Sequence, residues 1–286
     1  MNWQKQVAMT LILGATLCAT AAAQAEPRKV LFLSKSVSFE HSCIKWIDGK
    51  SHVDGVLNRI APAMNATVIS TKDASQINAE NLKQFQLVIF FTQGELTEPG
   101  LDGHPPMGPT GVADLLAWID AGGGFLGFHC ASDTFHTPEG QMEATPYIQM
   151  IGGEFNGHGK QFEGTVRVVD PAHSIIANSG FSTQFSILDE WYIFRNLNKD
   201  TMHVLAVLDP GAERQKQAMY DLPEYPIMWV SQRGKGRVFF NAMGHREDVW
   251  DNSAMQALVL SAAKWAMGEG DVAATPNSAV VLPPAK

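Results

Sequence analysis

The first half of the sequence alternates short apolar runs with segments that carry apolar residues at helical spacing. The apolar runs are residues 29–34, 66–71, 86–91 and 125–128. Between them, residues 52–64 and 111–121 place their apolar side chains on one face of a helix. A short, uninterrupted apolar run is typical of a strand that is buried on both faces. This order predicts a parallel sheet with right-handed crossover helices.

The second half is richer in candidate strands. They fall at residues 164–169, 190–194, 203–208, 226–232 and 237–243, and a closing helix follows at 252–267. We see no linker inside this stretch, so we expect one α/β domain over residues 26–268. Its sheet is mostly parallel, flavodoxin-like and flanked by helices. Residues 269–286 are rich in Ala and Pro and are expected to form a disordered tail.

The first 25 residues resemble an export signal. Lys5 precedes an apolar stretch at residues 7–23, and Ala23-Gln24-Ala25 fits a cleavage site before Glu26. The alternative is a membrane anchor, but the apolar stretch is at the short limit for a span. We therefore expect an exported protein, periplasmic or secreted, with no membrane attachment after cleavage.

Charge argues against a nucleic-acid partner. The chain has 21 Lys+Arg against 29 Asp+Glu, a formal net charge of -8, and its basic residues form no long cluster. A nucleic-acid surface needs a basic patch. The expected partner is a small molecule, a homo-oligomer remains open, and no nucleotide cofactor is expected. The sequence also leaves open whether Cys43 and Cys130 form a disulfide.

Titratable side chains collect where the predicted strands end. In an open parallel sheet, ligands bind beyond the carboxyl ends of the strands. The candidates there and in later Gly-rich segments are Glu40, His41, Gln93, Glu95, His129, Cys130, Asp133, His136, Glu154, His158, Asp189, Glu190, His245 and Arg246. Imidazole and carboxylate groups are common metal ligands and proton carriers. There is no H-E-x-x-H spacing, so a metal site would be assembled from distant loops.

Several longer stretches, in this order, resemble a known family. They are residues 122–133 (GGGFLGFHCASD), 151–158 (IGGEFNGH), 173–175, 189–194 (DEWYIF), 226–245 and 265–268. The chain is similar to the trehalose-utilisation (ThuA-like) family over residues 28–268. That family has a fold like the class I glutamine amidotransferases. The resemblance implies the same fold here and a role in sugar metabolism.

The amidotransferases place a nucleophilic cysteine in a G-x-C-x-G turn after a strand. The matching stretch here is Gly127-Phe128-His129-Cys130-Ala131, so His129 takes the nucleophile position and Cys130 comes one residue later. A side chain displaced by one residue at such a turn points elsewhere, and a thiolate also needs a nearby base. The resemblance therefore implies the fold without the glutaminase reaction.

The resemblance further implies work on disaccharides through 3-keto intermediates, which favours acid–base chemistry with a divalent metal such as Zn or Mn. We expect a hydrolase, lyase or isomerase. The expected catalytic residues are His129, His158, Glu190 and Asp133. The expected metal ligands are His41, His129, His158 and His245. Arg246, Glu95 and Trp191 are expected to bind the sugar. Two alternatives stay open, a non-catalytic sugar-binding protein and a Cys130-dependent amidase.

Overall fold

The computed structural model describes residues 26–101 and 103–282. The predicted signal segment, residues 1–25, and the last four residues of the predicted tail lie outside these ranges. Within them, no helix combines the length and the apolar character that crossing a bilayer requires.

The chain forms eleven strands and nine α-helices in the described ranges. The strands are β1 (Arg28–Leu33), β2 (Ala66–Thr71), β3 (Leu87–Phe90), β4 (Gly124–Phe128), β5 (Glu154–His158), β6 (Phe162–Val168), β7 (Gln184–Asp189), β8 (Tyr192–Arg195), β9 (His203–Asp209), β10 (Tyr225–Arg233) and β11 (Gly236–Asn241). The helices are α1 (His52–Ile60), α2 (Ala79–Leu82), α3 (Gly111–Asp120), α4 (Pro146–Ile151), α5 (Ser174–Ala177), α6 (Glu213–Lys216), α7 (Glu247–Asp251), α8 (Ser253–Ala266) and α9 (Ser278–Val281). Short 3-10 turns lie at Ser42–Ile44, Ala61–Met64, Ala74–Gln76, His129–Asp133 and Ala218–Tyr220.

Nine strands form one mixed sheet in the order β2-β1-β3-β4-β11-β10-β9-β6-β7. In this spatial order, neighbouring strands from β2 to β11 pair in parallel, and neighbouring strands from β11 to β7 pair antiparallel. Strands β5 and β8 pair separately as an antiparallel ribbon. The predicted fold class is confirmed. Because β1, β3, β4 and β11 are parallel, the loops that follow them meet at one edge of the sheet.

The apolar runs form the core. All residues of β3 and β4 are buried, as are the last four of β1. Helix α8 packs on β4 and β11 and buries Met255, Leu258, Val259 and Trp265. Each large apolar side chain that is fully buried stabilises the fold by about 1.5–3 kcal/mol. This rigid layer fixes the positions from which the loops at the sheet edge depart.

The structure differs from the expectations in two regions. Strands β5 and β7 were not predicted, because both carry polar residues and lie at the periphery. The expectation of a disordered tail is wrong for residues 269–282. Asn277 accepts a hydrogen bond from Val204 N (2.7 Å) and donates one to Val204 O (3.0 Å), and Ser278 Oγ donates to Lys199 O (2.7 Å). Specific polar contacts with β9 and with the turn before it thus order a segment whose composition indicates disorder.

Candidate metal centre and cavity

The chain turns sharply at His129, directly after β4. Its φ of 44° lies in the left-handed region, which is costly for any residue other than glycine. The imidazole is fully buried, and its Nδ1 lies 2.9 Å from Ala242 O. A carbonyl oxygen only accepts, so Nδ1 carries the proton and Nε2 keeps a free lone pair. The turn therefore holds one metal-binding nitrogen in a fixed direction.

Glu190 and His245 meet that nitrogen from two other segments. His129 Nε2 lies 3.3 Å from His245 Nδ1 and 3.5 Å from Glu190 Oε2, and His245 Nδ1 lies 3.1 Å from the same oxygen. A tetrahedral zinc with bonds of 2.0–2.1 Å separates its ligand atoms by about 3.3 Å. The three atoms already have the spacing of one face of such a site.

His41 completes the group from the loop after β1. Its ring centroid lies 4.9 Å from that of His129 and 5.0 Å from that of His245. Ligand atoms of His41, His129, Glu190 and His245 all lie within 4.8 Å of one another. His41 is buried, and its Nδ1 has no hydrogen-bond partner among the described residues. A buried, unpartnered nitrogen is costly, and a cation would satisfy it. These residues fit a divalent metal ion.

The electrostatics favour the ligating forms of His41 and Glu190. Burial, with the neighbouring His129 and His245, lowers the pKa of His41 to about 2. For Glu190, burial alone raises the pKa, but the adjacent imidazoles of His129 and His245 outweigh it, so the pKa lies well below its usual value. For His245, burial lowers the pKa, but the contact with Glu190 outweighs burial and raises it. A neutral imidazole and an ionised carboxylate are the forms that bind metals.

A buried carboxylate behind the group joins two of its segments. Asp189 Oδ1 accepts from Glu190 N (2.9 Å), and Oδ2 accepts from Gly244 N (2.7 Å). Gly244 precedes His245, so one side chain fixes both Glu190 and His245. Sequence analysis placed Asp189 among the candidates without giving it this role. Its position beside Glu190 is the only signal that the sequence offers.

A cavity of about 240 Å³ opens above the four-residue group. It is lined by Phe39, His41, Asp133, Phe155, His158, Glu190 and Tyr192. His41 and Glu190 belong to both the cavity and the group. Pockets that enclose drug-sized ligands span roughly 300–1,000 Å³. This cavity therefore suits a smaller unit with apolar faces and several polar groups.

The comparisons with known proteins agree with this architecture. The sequence profile for "Trehalose utilisation" (ThuA) matches residues 29–266. The chain belongs to the ThuA family. Membership indicates a role in trehalose or carbohydrate utilisation. No curated protein matches the chain at significant similarity.

Two solved ThuA-like proteins share the fold. One from Bacteroides uniformis is 17% identical with a TM-score of 0.64, and covers 90% of this chain and 98% of its own. One from Parabacteroides merdae is 18% identical with a TM-score of 0.61, and covers 85% of this chain and 90% of its own. A cytoplasmic protein of Salmonella typhimurium is 14% identical with a TM-score of 0.55, and covers 83% and 99%. At these identities the likeness concerns the fold alone.

Most residues predicted for the ThuA site do come together. His41, His129, Glu190 and His245 form the metal group, and Asp133 and His158 line the cavity above it. His158, however, is not in the four-residue group, contrary to the predicted ligand set. It lies on β5 with 41% of its side chain exposed, and its Nδ1 lies 3.1 Å from Glu190 Oε1. Glu190 is the fourth member of the group instead.

The residues predicted to bind sugar lie elsewhere. Trp191 is fully buried, and its Nε1 donates to Phe162 O (3.0 Å), so this prediction is wrong. Arg246 pairs with Asp248 and Gln161 outside the cavity lining. Glu95 is also outside that lining. Burial raises the pKa of Glu95, and nearby His136 opposes the rise.

Three aromatic side chains line the cavity, namely Phe39, Phe155 and Tyr192, and the first two were missed as site residues. Tyr192 is buried, with its ring centroid 4.1 Å from that of His129. The alternation of side-chain directions in extended chain was a usable signal for Tyr192. Glu190 and Tyr192 are two residues apart and point to the same side, whereas Trp191, between them, points into the core. Phe39 and Phe155 lie in segments without strong periodicity.

Cys43 and Cys130 are buried free thiols, so no disulfide joins them. Burial raises the pKa of each thiol well above its ordinary value. A nucleophilic cysteine needs a lowered pKa and access to substrate. The expectation that Cys130 is not a glutaminase nucleophile agrees with this environment.

Proposed function

We propose that this protein is an exported enzyme that processes a disaccharide, or its 3-keto derivative, by acid–base chemistry at a divalent-metal site. The observation that carries the proposal is the triangle formed by His129 Nε2, His245 Nδ1 and Glu190 Oε2. These atoms lie 3.1–3.5 Å apart below the cavity of about 240 Å³. Family membership supports a carbohydrate as the substrate.

The four residues of the metal group and the residues of the cavity wall have different roles in this proposal. His41, His129, Glu190 and His245 would hold the cation. A cation bound there supplies a Lewis acid that polarises a carbonyl oxygen and stabilises developing negative charge. Asp133 and His158 stand on the cavity wall, where a carboxylate and an imidazole can take and return protons. Phe39, Phe155 and Tyr192 offer apolar faces that exclude water and orient a ring.

This chemistry suits a keto sugar. A carbonyl makes the adjacent C–H acidic, so a base can remove that proton while the electron pair moves onto the carbonyl oxygen. In an elimination, the enolate then re-forms the carbonyl, a C=C bond forms, the glycosidic C–O bond breaks, and the departing oxygen takes a proton from an acid of the site. In an isomerisation, the proton returns to a neighbouring carbon instead. A plain sugar-binding protein needs no such cluster of buried titratable groups. Two of the four members, His41 and His129, are buried imidazoles that a hydroxyl-recognition site does not require.

The test is turnover of 3-keto-disaccharides and their parent disaccharides by the purified protein loaded with Zn or Mn. We expect product from a keto substrate, and His129→Ala should lower kcat by at least about 100-fold. His52→Asn is the matched control, because His52 pairs with Asp251 (3.0 Å) away from the cavity. Tight sugar binding without product would favour the non-catalytic alternative.

Export is tested separately. The apolar segment and the Ala23-Gln24-Ala25 motif support it. Expression of the full chain followed by cell fractionation should give a mature protein that begins at Glu26 outside the cytoplasm. An intact N-terminus in the cytoplasm would contradict export and leave the proposed chemistry unaffected.

A further inference from the structure

A second set of polar residues stands beside the cavity and is not used by the metal group. Asp133 lines the cavity, and 14% of its side chain is exposed. One of its oxygens, Oδ1, accepts a hydrogen bond from His136 Nε2. The other, Oδ2, accepts from Gln93 Nε2 (3.0 Å). Two donors thus fix the plane of this carboxylate, which is unusual for a carboxylate that only needs solvation.

His136 is itself held from behind by Glu154. His136 Nδ1 lies 2.9 Å from Glu154 Oε1, so the imidazole bridges two carboxylates. An ionised carboxylate only accepts hydrogen bonds, and both ring nitrogens therefore donate. His136 is consequently an imidazolium in this arrangement.

Glu154 is the anchor of the chain of contacts. It is fully buried on β5 and accepts hydrogen bonds at both oxygens. Thr137 donates through its backbone N (3.0 Å) and its Oγ1 (2.7 Å), Asn196 Nδ2 donates at 2.6 Å, and Arg195 forms an ion pair. These partners come from the end of β8 and from the loop that holds His136 and Thr137. Glu154 therefore cannot rotate to follow the substrate, and it fixes His136.

Gln93 connects the same chain of contacts to the mouth of the cavity. Its Oε1 accepts from Ser38 N (3.0 Å), Ser38 Oγ (2.9 Å) and Phe39 N (3.0 Å), while its Nε2 binds Asp133. The loop that carries Phe39 and His41 is thereby tied to Asp133. The Gln93 side chain therefore fixes the position of Asp133 relative to the loop at the mouth of the cavity.

We infer that Asp133 is the proton acceptor of the site and that His136, anchored by Glu154, is a positioning residue for it. The inference rests on the proposed function. In the step, the substrate C–H bond breaks and its proton forms an O–H bond on Asp133, while the C–H electron pair forms a C=C bond and the carbonyl π pair moves onto the substrate oxygen. The same carboxyl group then returns the proton. His136 keeps its own protons and holds the Asp133 carboxylate in its reactive orientation.

The alternative acceptor is His158, and the geometry disfavours it. His158 Nδ1 lies near both Glu190 Oε1 (3.1 Å) and Gly159 O (3.0 Å), so this nitrogen donates and only Nε2 is left to accept. Its side chain is 41% exposed and has no support comparable with that of Asp133. A base with a fixed orientation transfers protons more effectively than a mobile one.

The experiment compares His136→Asn, His136→Gln and Glu154→Gln with wild type, all loaded with metal. Loss of a residue that orients a reacting group costs about 10–100-fold in activity. We expect His136→Asn and Glu154→Gln to lower kcat by that factor, with KM and metal content unchanged. His136→Gln should recover part of the loss, because its amide can still donate to Asp133. His203→Asn is the control, since His203 also bridges two acceptors, Asp170 and Thr275 O, outside the cavity.

A second readout does not depend on turnover. In wild type, proton NMR of histidine-labelled protein should show downfield N–H resonances from His136, and these should vanish in His136→Asn. An unchanged kcat in His136→Asn overturns the inference. If His136→Asn loses both kcat and bound metal, the role of His136 is purely structural, and this outcome overturns the inference too. If Glu154→Gln does not fold, His136→Asn decides. If wild type shows no turnover, the proposed function is refuted instead. If the His136 N–H resonances are also absent, the orienting contacts are overturned as well.

Discussion

Replacing Glu154 with Gln should change how stability depends on pH. Hydrogen bonds from Thr137, Arg195, His136 and Asn196 outweigh the effect of burial and lower the pKa of Glu154 from 4.5 to about 2. A lowered pKa stabilises the fold above pH 4.5, and that contribution is lost as the pH falls toward 2. The full shift corresponds to about 3 kcal/mol. Lowering the pH from 7 to about 3.5 should remove about 1 kcal/mol of it.

Urea unfolding followed by tryptophan fluorescence at these two pH values measures the difference between wild type and Glu154→Gln. We expect this difference to shrink by about 1 kcal/mol at the lower pH, because only wild type carries the titrating carboxyl group. Glu163→Gln, on the exposed side of β6, is the matched control and should stay within about 0.5 kcal/mol of wild type. A difference that is the same at both pH values would refute the reasoning.

Three further changes separate the core from the site. Trp191→Ala should lower the free energy of unfolding by about 3–5 kcal/mol in urea titrations, because the indole is fully buried. A variant that keeps its stability but binds sugar more weakly would contradict this. Phe39→Ala removes a ring that is 56% exposed at the cavity mouth, so KM for a disaccharide should rise roughly fivefold, equivalent to about 1 kcal/mol of apolar burial. An unchanged KM would remove Phe39 from the binding surface. Iodoacetamide should leave turnover of the native protein intact, because Cys130 is buried with a raised thiol pKa, and rapid inactivation would revive a thiol mechanism.

The central strands were predictable because burial on both faces requires an uninterrupted apolar run. β2 occupies the predicted residues, and β1, β3 and β4 differ from prediction only at their ends. β5 was missed because the sequence EFNGH carries polar residues that serve the site rather than the core. β7 shows a weak alternation that is typical of an edge strand with one face exposed. The sequence therefore predicts the sheet best where packing alone selects the residues.

The candidate site was predictable in part, since parallel strands bring their carboxyl ends to one edge. That rule placed His41, His129 and His245 together, and the structure agrees. It gave no distances, so it could not choose between His158 and Glu190 as the fourth ligand. Trp191 was misassigned because adjacent residues in extended chain point to opposite sides. The orienting contacts of Asp133 depend on residues far apart in sequence, which local patterns do not reveal.

Metal analysis of the purified mature protein tests the central claim most directly. After chelation and reloading with Zn or Mn, we expect about one ion per chain in wild type and in His203→Asn. His129→Ala removes one of the three atoms spaced 3.1–3.5 Å apart, and Glu190→Gln replaces the charged carboxylate with a neutral amide, so each change should weaken binding by about 10–100-fold or abolish it. Wild type that binds no ion when supplied with either metal, or equal binding in His129→Ala, would contradict the metal site.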